Sequence, residues 1–135
     1  MEKDIRINIH TTNSYGHESD ETKQSYPGKL FVKNGKRYCV YNDEECSNMI
    51  KLGSSEIEIL RRADGFSSKM FFKGGEATIS SYSMQGSVMS MKVHTRWLGI
   101  EEYEDRIAVS IKYDLEMNGQ FVSENNVFIE IGYVR

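Results

Sequence analysis

The chain has 135 residues, enough for one domain with a core of its own. Hydrophobic residues make up 39 % and charged residues 27 %, a balance that excludes a disordered chain. A net charge of −3 and a pI near 5.6 exclude the basic footprint of a nucleic-acid-binding domain and adsorption to anionic lipid.

The reading is strand after strand. Ile5, Ile7 and Ile9 alternate with Arg6, Asn8 and His10 in a first strand. The polar stretch from Ser14 to Ser25 begins as a loop, and strand pattern resumes near Thr22. Leu30 to Val32 and Arg37 to Tyr41 form a hairpin around Asn34-Gly35, with either Cys39 and Tyr41 or Tyr38 and Val40 facing inward. A short strand covers Asn48 to Leu52, after the acidic Asp43-Glu44-Glu45. Glu56 to Arg62 turns at Asp64-Gly65 into Phe66 to Lys73, and Gly74-Gly75 turns that into Glu76 to Tyr82. After Gln85-Gly86, residues Ser87 to Trp97 place Met89, Met91, Val93, Thr95 and Trp97 on one face. A single helical turn is expected near Gly99 to Tyr103.

The last hairpin has the clearest period of two. Ile107, Val109, Ile111, Tyr113 and Leu115 precede Asn118-Gly119, and Val127, Ile129, Ile131 and Tyr133 follow it. A three-residue loop, Met117-Asn118-Gly119 with Gly119 left-handed, puts Leu115 opposite Phe121, Val109 opposite Val127 and Ile107 opposite Ile129. That register gathers the apolar sets on one side and sends Ser123 and Asn125 inward, opposite Tyr113 and Ile111. Either the interior is polar there or Ser123 to Asn126 form a bulge.

Turn signals at this spacing predict a single all-β domain over residues 1–135, an antiparallel barrel of about eight to ten strands. No apolar run is long enough for a membrane span, and Met1-Glu2-Lys3-Asp4 leads into strand pattern without a signal-peptide core. Two cysteines, Cys39 and Cys46, are too few for a disulfide framework. The expectation is a cytoplasmic protein with free thiols.

A set of spaced residues carries a family resemblance. Gly28-x-Leu30-x-x-Lys33-x-x-x-x-Tyr38-x-x-Tyr41 is followed by Glu44; Tyr82-x-x-x-Gly86 leads into a strand ending near Thr95; Tyr113 precedes Asn126-x-x-Ile129. Over nearly the full chain this resembles the YwiB-like proteins, a bacterial family of unknown function. Met84-Gln85 stands where relatives often carry Thr-Pro, and Arg62-Ala63-Asp64-Gly65 spaces the family's arginine-glycine turn more loosely. The resemblance implies a calycin-like (lipocalin-type) barrel with room for an internal cavity, and brings no catalytic residues.

The chemistry-bearing residues mostly read as surface. His10 and His94 lie on the polar phases of their strands and His17 in a loop, so no pair has metal-ligand spacing within one element. Cys39 has no local base to activate it. Lys92, His94 and Arg96 on one strand, and Lys29, Lys33, Lys36 and Arg37 elsewhere, read as a wet exterior. Glu44, marked by the resemblance, is placed beside Arg62 at the barrel mouth.

The inward phases collect Met70, Phe72, Tyr82, Met89, Met91, Trp97, Tyr113 and Phe121, a set that fills a core or wraps an adaptable ligand. The leading expectation is non-enzymatic binding of one small, mostly apolar molecule inside the barrel, oriented by Tyr113, Asn125 or Tyr82, with no cofactor, nucleic acid or membrane partner. The alternatives are a homo-oligomeric or protein-interaction barrel, working through a strand edge or its outer face with Phe31 or Tyr38, and an enzyme using Glu44 and Arg62.

Overall fold

The computed structural model describes residues 2–135. Among them lie ten strands and no helix: β1 (Glu2–Tyr15), β2 (Glu18–Lys33), β3 (Lys36–Asn42), β4 (Ser47–Leu52), β5 (Glu56–Ala63), β6 (Phe66–Lys73), β7 (Ala77–Met84), β8 (Ser87–Glu102), β9 (Arg106–Met117) and β10 (Gln120–Tyr133). Each strand pairs antiparallel with the next, and β1 pairs with β10 from Ile5↔Tyr133 to Ser14↔Glu124. The all-β barrel is therefore closed and has no free edge strand, which removes the template for edge-to-edge association.

Tight turns make this meander possible. Asn34-Gly35, Gln85-Gly86 and Asn118-Gly119 each place two residues at positive φ, the combination that matches the right-handed twist of flanking strands. The barrel waist is filled by side chains from every strand but β7. Ile5, Ile7, Leu30, Cys39, Ile50, Leu52, Ile57, Phe72, Val93, Ile107, Val109, Ile111, Tyr113, Ile129 and Ile131 form one buried cluster.

Several expectations shift. The start of the Ser14 to Ser25 stretch is not a loop, and strand pattern resumes at Glu18 rather than near Thr22: β1 and β2 stay paired up to Tyr15↔Glu18 around Gly16-His17. This tip is exposed on both faces, so nothing imposes apolar alternation on it. Gly99 to Tyr103 is not helical; β8 continues to Glu102.

The last hairpin reaches the expected facing by another route. Asn118 and Gly119 form a two-residue turn, with Met117 opposite Gln120, because asparagine tolerates positive φ as glycine does. The extra residue falls in the strand: Phe121 pairs Glu116 and Ser123 pairs Leu115, leaving Val122 as a bulge. Val127, Ile129 and Ile131 then face Ile111, Val109 and Ile107, two residues from the expected register and on the same side.

A second bulge, at Arg96, sits on β8 between Thr95↔Tyr113 and Trp97↔Lys112. β9 thus runs between two bulged strands. One seam is also weak. β6 and β7 pair only from Phe66↔Met84 to Lys69↔Ser81; beyond that, the Phe71 N–H donates to Ser80 Oγ at 3.2 Å and the Thr78 hydroxyl donates to the Phe71 carbonyl.

Candidate functional site

The nine residues expected to line an interior site separate into three groups. Phe72, Tyr113 and Asn125 are inside and buried, Phe72 edge-to-face with Tyr113 at 4.9 Å between ring centroids. Met70, Met91 and Tyr82 keep the inward phase but are half-buried, Tyr82 lying edge-on to Phe66 beyond the core. Met89, Trp97 and Phe121 are not interior residues, at 47 %, 62 % and 60 % exposure. Met89 lies near the tip of the β7–β8 hairpin, past the core. Trp97 is turned outward by the Arg96 bulge, and Phe121 precedes the Val122 bulge and so sits on the outer phase with Glu116.

The inward polar spot is self-contained. Asn125 Nδ2 donates to Ser123 Oγ at 3.0 Å and to the Ser123 carbonyl at 3.4 Å. Its demand for partners is met two residues away on the same face, without a ligand. Tyr113, held among apolar neighbours, has its phenol pushed up to about 12 by burial. Burial does the same to Tyr41 and to the Cys39 thiol, each to about 12, so Cys39 is no nucleophile.

Glu44 and Arg62 do not meet. Both are exposed, and among the described residues neither makes an ion pair. The cluster that does form lies one residue earlier at both places, at Asp43 in the β3–β4 turn and Arg61 on β5. Asp43 Oδ1 accepts the N–H groups of Glu45 and Cys46 at 2.8 and 2.7 Å, closing the β3–β4 turn. Asp43 Oδ2 takes Arg61 Nη2 at 3.1 Å and Asn48 Nδ2 at 3.2 Å, and Arg61 Nε donates to Asn48 Oδ1 at 3.1 Å. Burial works against the Asp43 charge, yet those donors and Arg61 outweigh it and hold its pKa below the usual carboxylate range. Every oxygen is occupied, so this cluster is a brace for the turn.

Two of the three histidines are paired on the surface. His10 meets Glu21 at 2.7 Å and His94 meets Glu116 at 2.9 Å. Among the described residues no group of His, Cys, Asp or Glu side chains converges to hold a metal. The lysines and arginines of β2–β3 and of β8 lie on different arcs of the barrel and do not form one patch.

A concave site does exist, on the outer wall. The β1–β6 arc carries a groove of about 960 Å³. Its floor is a rung of directly paired outward residues, Lys29↔Val40↔Met49↔Leu60↔Lys69, taken from β2 to β6. Cys39, Ile50 and Ile59 point into the barrel, so Val40, Met49 and Leu60 point out, yet all three are half-buried. A twisted sheet closed into a barrel has a waist, concave along its strands, which shelters this rung. Arg6, Pro27 and Arg62 border it on the neighbouring rung. Gly28 lies beneath; a Cβ there would come within 2.6 Å of the Val40 carbonyl oxygen, so β2 and β3 can close up only around a glycine. On the other side Phe31 stacks on Tyr38 at 5.2 Å, both facing out, and Lys51 and Lys69 flank Glu58 at 3.3 and 3.4 Å.

An antiparallel meander closed on itself, solid at its waist and with each strand beside its sequence neighbours, defines this protein as a calycin-like barrel. The chain belongs to the family described as a domain of unknown function, DUF1934, which matches residues 7–129. It is similar to the crystal structure of the ywiB protein from Bacillus subtilis, with a TM-score of 0.88 and 20 % identity over 99 % of this chain and 94 % of that one. At that identity the likeness shows the fold. No curated protein matches the chain. No helix among the described residues is long and apolar enough to cross a membrane.

Proposed function

We propose that the chain is a non-enzymatic binding protein whose small, mostly apolar ligand lies in the outer groove of β1–β6 rather than inside the barrel. The observation that carries this reading is the half-buried rung Val40–Met49–Leu60, apolar on the face of the sheet that should be polar. The groove's volume is that of a typical small-molecule site. Its border is cationic, and Arg62 makes no ion pair among the described residues, so an apolar body with a carboxylate end fits best. A ligand inside the barrel would have to displace the buried cluster at the waist. The negative net charge argues against nucleic acid, and two free, buried thiols fit a cytoplasmic protein.

A panel of medium-chain carboxylates, their alcohols and their amines, scored by thermal shift and then by calorimetry, tests the reading. Carboxylates should bind, and Met49→Asp should weaken them by about tenfold or more, since it puts a like charge on an apolar floor. Binding that survives Met49→Asp, or no carboxylate binding at all, overturns it. A second reading is favoured by the outward Phe31–Tyr38 stack beside the groove: the same wall docks a protein or a second copy of the chain. Light scattering at high concentration decides that one, a strict monomer with no co-purifying partner counting against it.

A further inference from the structure

The other arc of the barrel carries a second concavity. A cavity of about 780 Å³ opens over β7–β10, between the bulges at Arg96 and Val122. Asp114 and Thr95 line it, at 7 % and 3 % exposure. Asp114 lies on the outward phase of β9, so a carboxylate is buried where the strand should meet water. One oxygen, Oδ2, accepts Arg96 Nε at 2.6 Å. The other, Oδ1, is buried without a hydrogen-bond partner, and so is Thr95 Oγ1. Native proteins rarely leave such acceptors empty, because each costs about as much as a lost hydrogen bond.

The groups around the cavity sort by what they have left to offer. His94 is taken by Glu116 and Glu76 by Lys73 at 3.4 Å. What remains is acceptor capacity on Asp114, with the exposed ring of Phe121 at the edge; Thr95 pairs with the inward Tyr113 and turns its hydroxyl to the other face of the wall. A buried carboxylate with an aromatic face beside it recognises a cationic N–H donor. Arg96 already supplies one. Its side chain is 62 % exposed, it is the unpaired residue of the β8 bulge, and its only ion-pair partner among the described residues is Asp114. Bulges re-aim side chains beside sites.

We propose that this cavity is a binding site for a small alkylammonium or alkylguanidinium group, with Asp114 as its anchor, Phe121 as its platform and Arg96 as a resident stand-in that the ligand's cation replaces. The ligand group donates to Asp114 Oδ1 and Oδ2 once the guanidinium of Arg96 swings into water. No covalent step is involved. The site is independent of the outer groove on β1–β6, and the two ligands are opposite in charge.

The test is a titration of the full chain with butylamine and butylguanidine, followed by backbone amide NMR, with butanol and glucose as uncharged arms. The wild-type protein should show shifts at Asp114, Leu115 and the Glu76 turn. Arg96→Ala should bind the amines about tenfold more tightly, because the internal competitor is gone. Phe121→Ala should weaken binding severalfold while leaving the fold intact, since its ring is exposed. Arg96→Ala with Asp114→Asn should lose the response. Amine affinity unchanged by Arg96→Ala overturns the stand-in, and butanol or glucose binding as well as butylamine overturns the cationic assignment.

Discussion

Removing single residues from β10 tests the register of the last hairpin directly. Val122 is the one residue within the β9–β10 ladder that has no partner on β9, so deleting it leaves Phe121↔Glu116 and Ser123↔Leu115 as neighbouring rungs. Both sides of the deletion keep their register, and the loss is a partly exposed valine, a cost of about 1 kcal/mol. Deleting Asn126 has another outcome. Residues from Val127 onward are held by β1 and β9, so Val122 to Asn125 slide by one and the bulge is consumed. Glu124 then enters the buried place of Asn125, opposite Tyr113. A carboxyl that must stay protonated there at pH 7, against an ordinary pKa near 4.3, costs about 4 kcal/mol at 1.36 kcal/mol per unit. That is a large share of the roughly 5–15 kcal/mol expected for a domain. Urea unfolding of both deletions, at pH 7 and pH 5, provides the assay. The raised carboxyl pKa makes its stability complete only below about 4.3 and lost as pH rises, so the Asn126 deletion should regain stability on acidification while the Val122 deletion should not. Equal losses, or no acid rescue, would refute the bulge assignment.

Two further outcomes follow from burial. Cys39, Tyr41 and Tyr113 have ordinary values of 9.0, 10.0 and 10.0 and are pushed up to about 12 in the fold. Their contribution is full below about pH 8 and lost as pH rises towards 12, at up to about 1.4 kcal/mol per pH unit for each group, so the urea midpoint should fall steeply in that window and Cys39→Ala should flatten the decline. Trp97, the single tryptophan, should emit at long wavelength and be freely quenched by iodide in the native state, and a blue-shifted, protected emission would show that the Arg96 bulge does not turn it outward.

Much of the wall is legible in the residues alone. The apolar sets of β9 and β10, the glycine turns and the inward Ser123 and Asn125 all follow from period two and from the cost of exposing isoleucine. The Arg96 bulge could not be read, because an extra residue leaves no mark in alternation until a strand is held against its neighbours, and the bulge weighed for Ser123 to Asn126 falls just before them, at Val122. Hence alternation alone puts Trp97 and Phe121 on the wrong face. The outer groove did leave a signal. Tyr38-Cys39-Val40-Tyr41, Met49-Ile50 and Ile59-Leu60 are apolar on both phases, which is the pattern of a strand covered on both sides. The brace at Asp43 has one too, since an aspartate opening a tight turn caps the next amides. Asp114 and Arg96, on neighbouring strands, were invisible as a pair, since only the β8–β9 register brings them together.

Closure through β1 and β10 also has a kinetic meaning. The pairing joins Ile5 to Tyr133, almost the longest sequence separation available, and must await the last strand. A growing chain that has not yet made β10 leaves the hydrogen-bonding edge of β1 bare along ten residues, together with the apolar face of Ile5 and Ile7. Closure is the one non-local pairing among sequence-neighbour seams and comes last, so the half-made barrel is the species most exposed to aggregation.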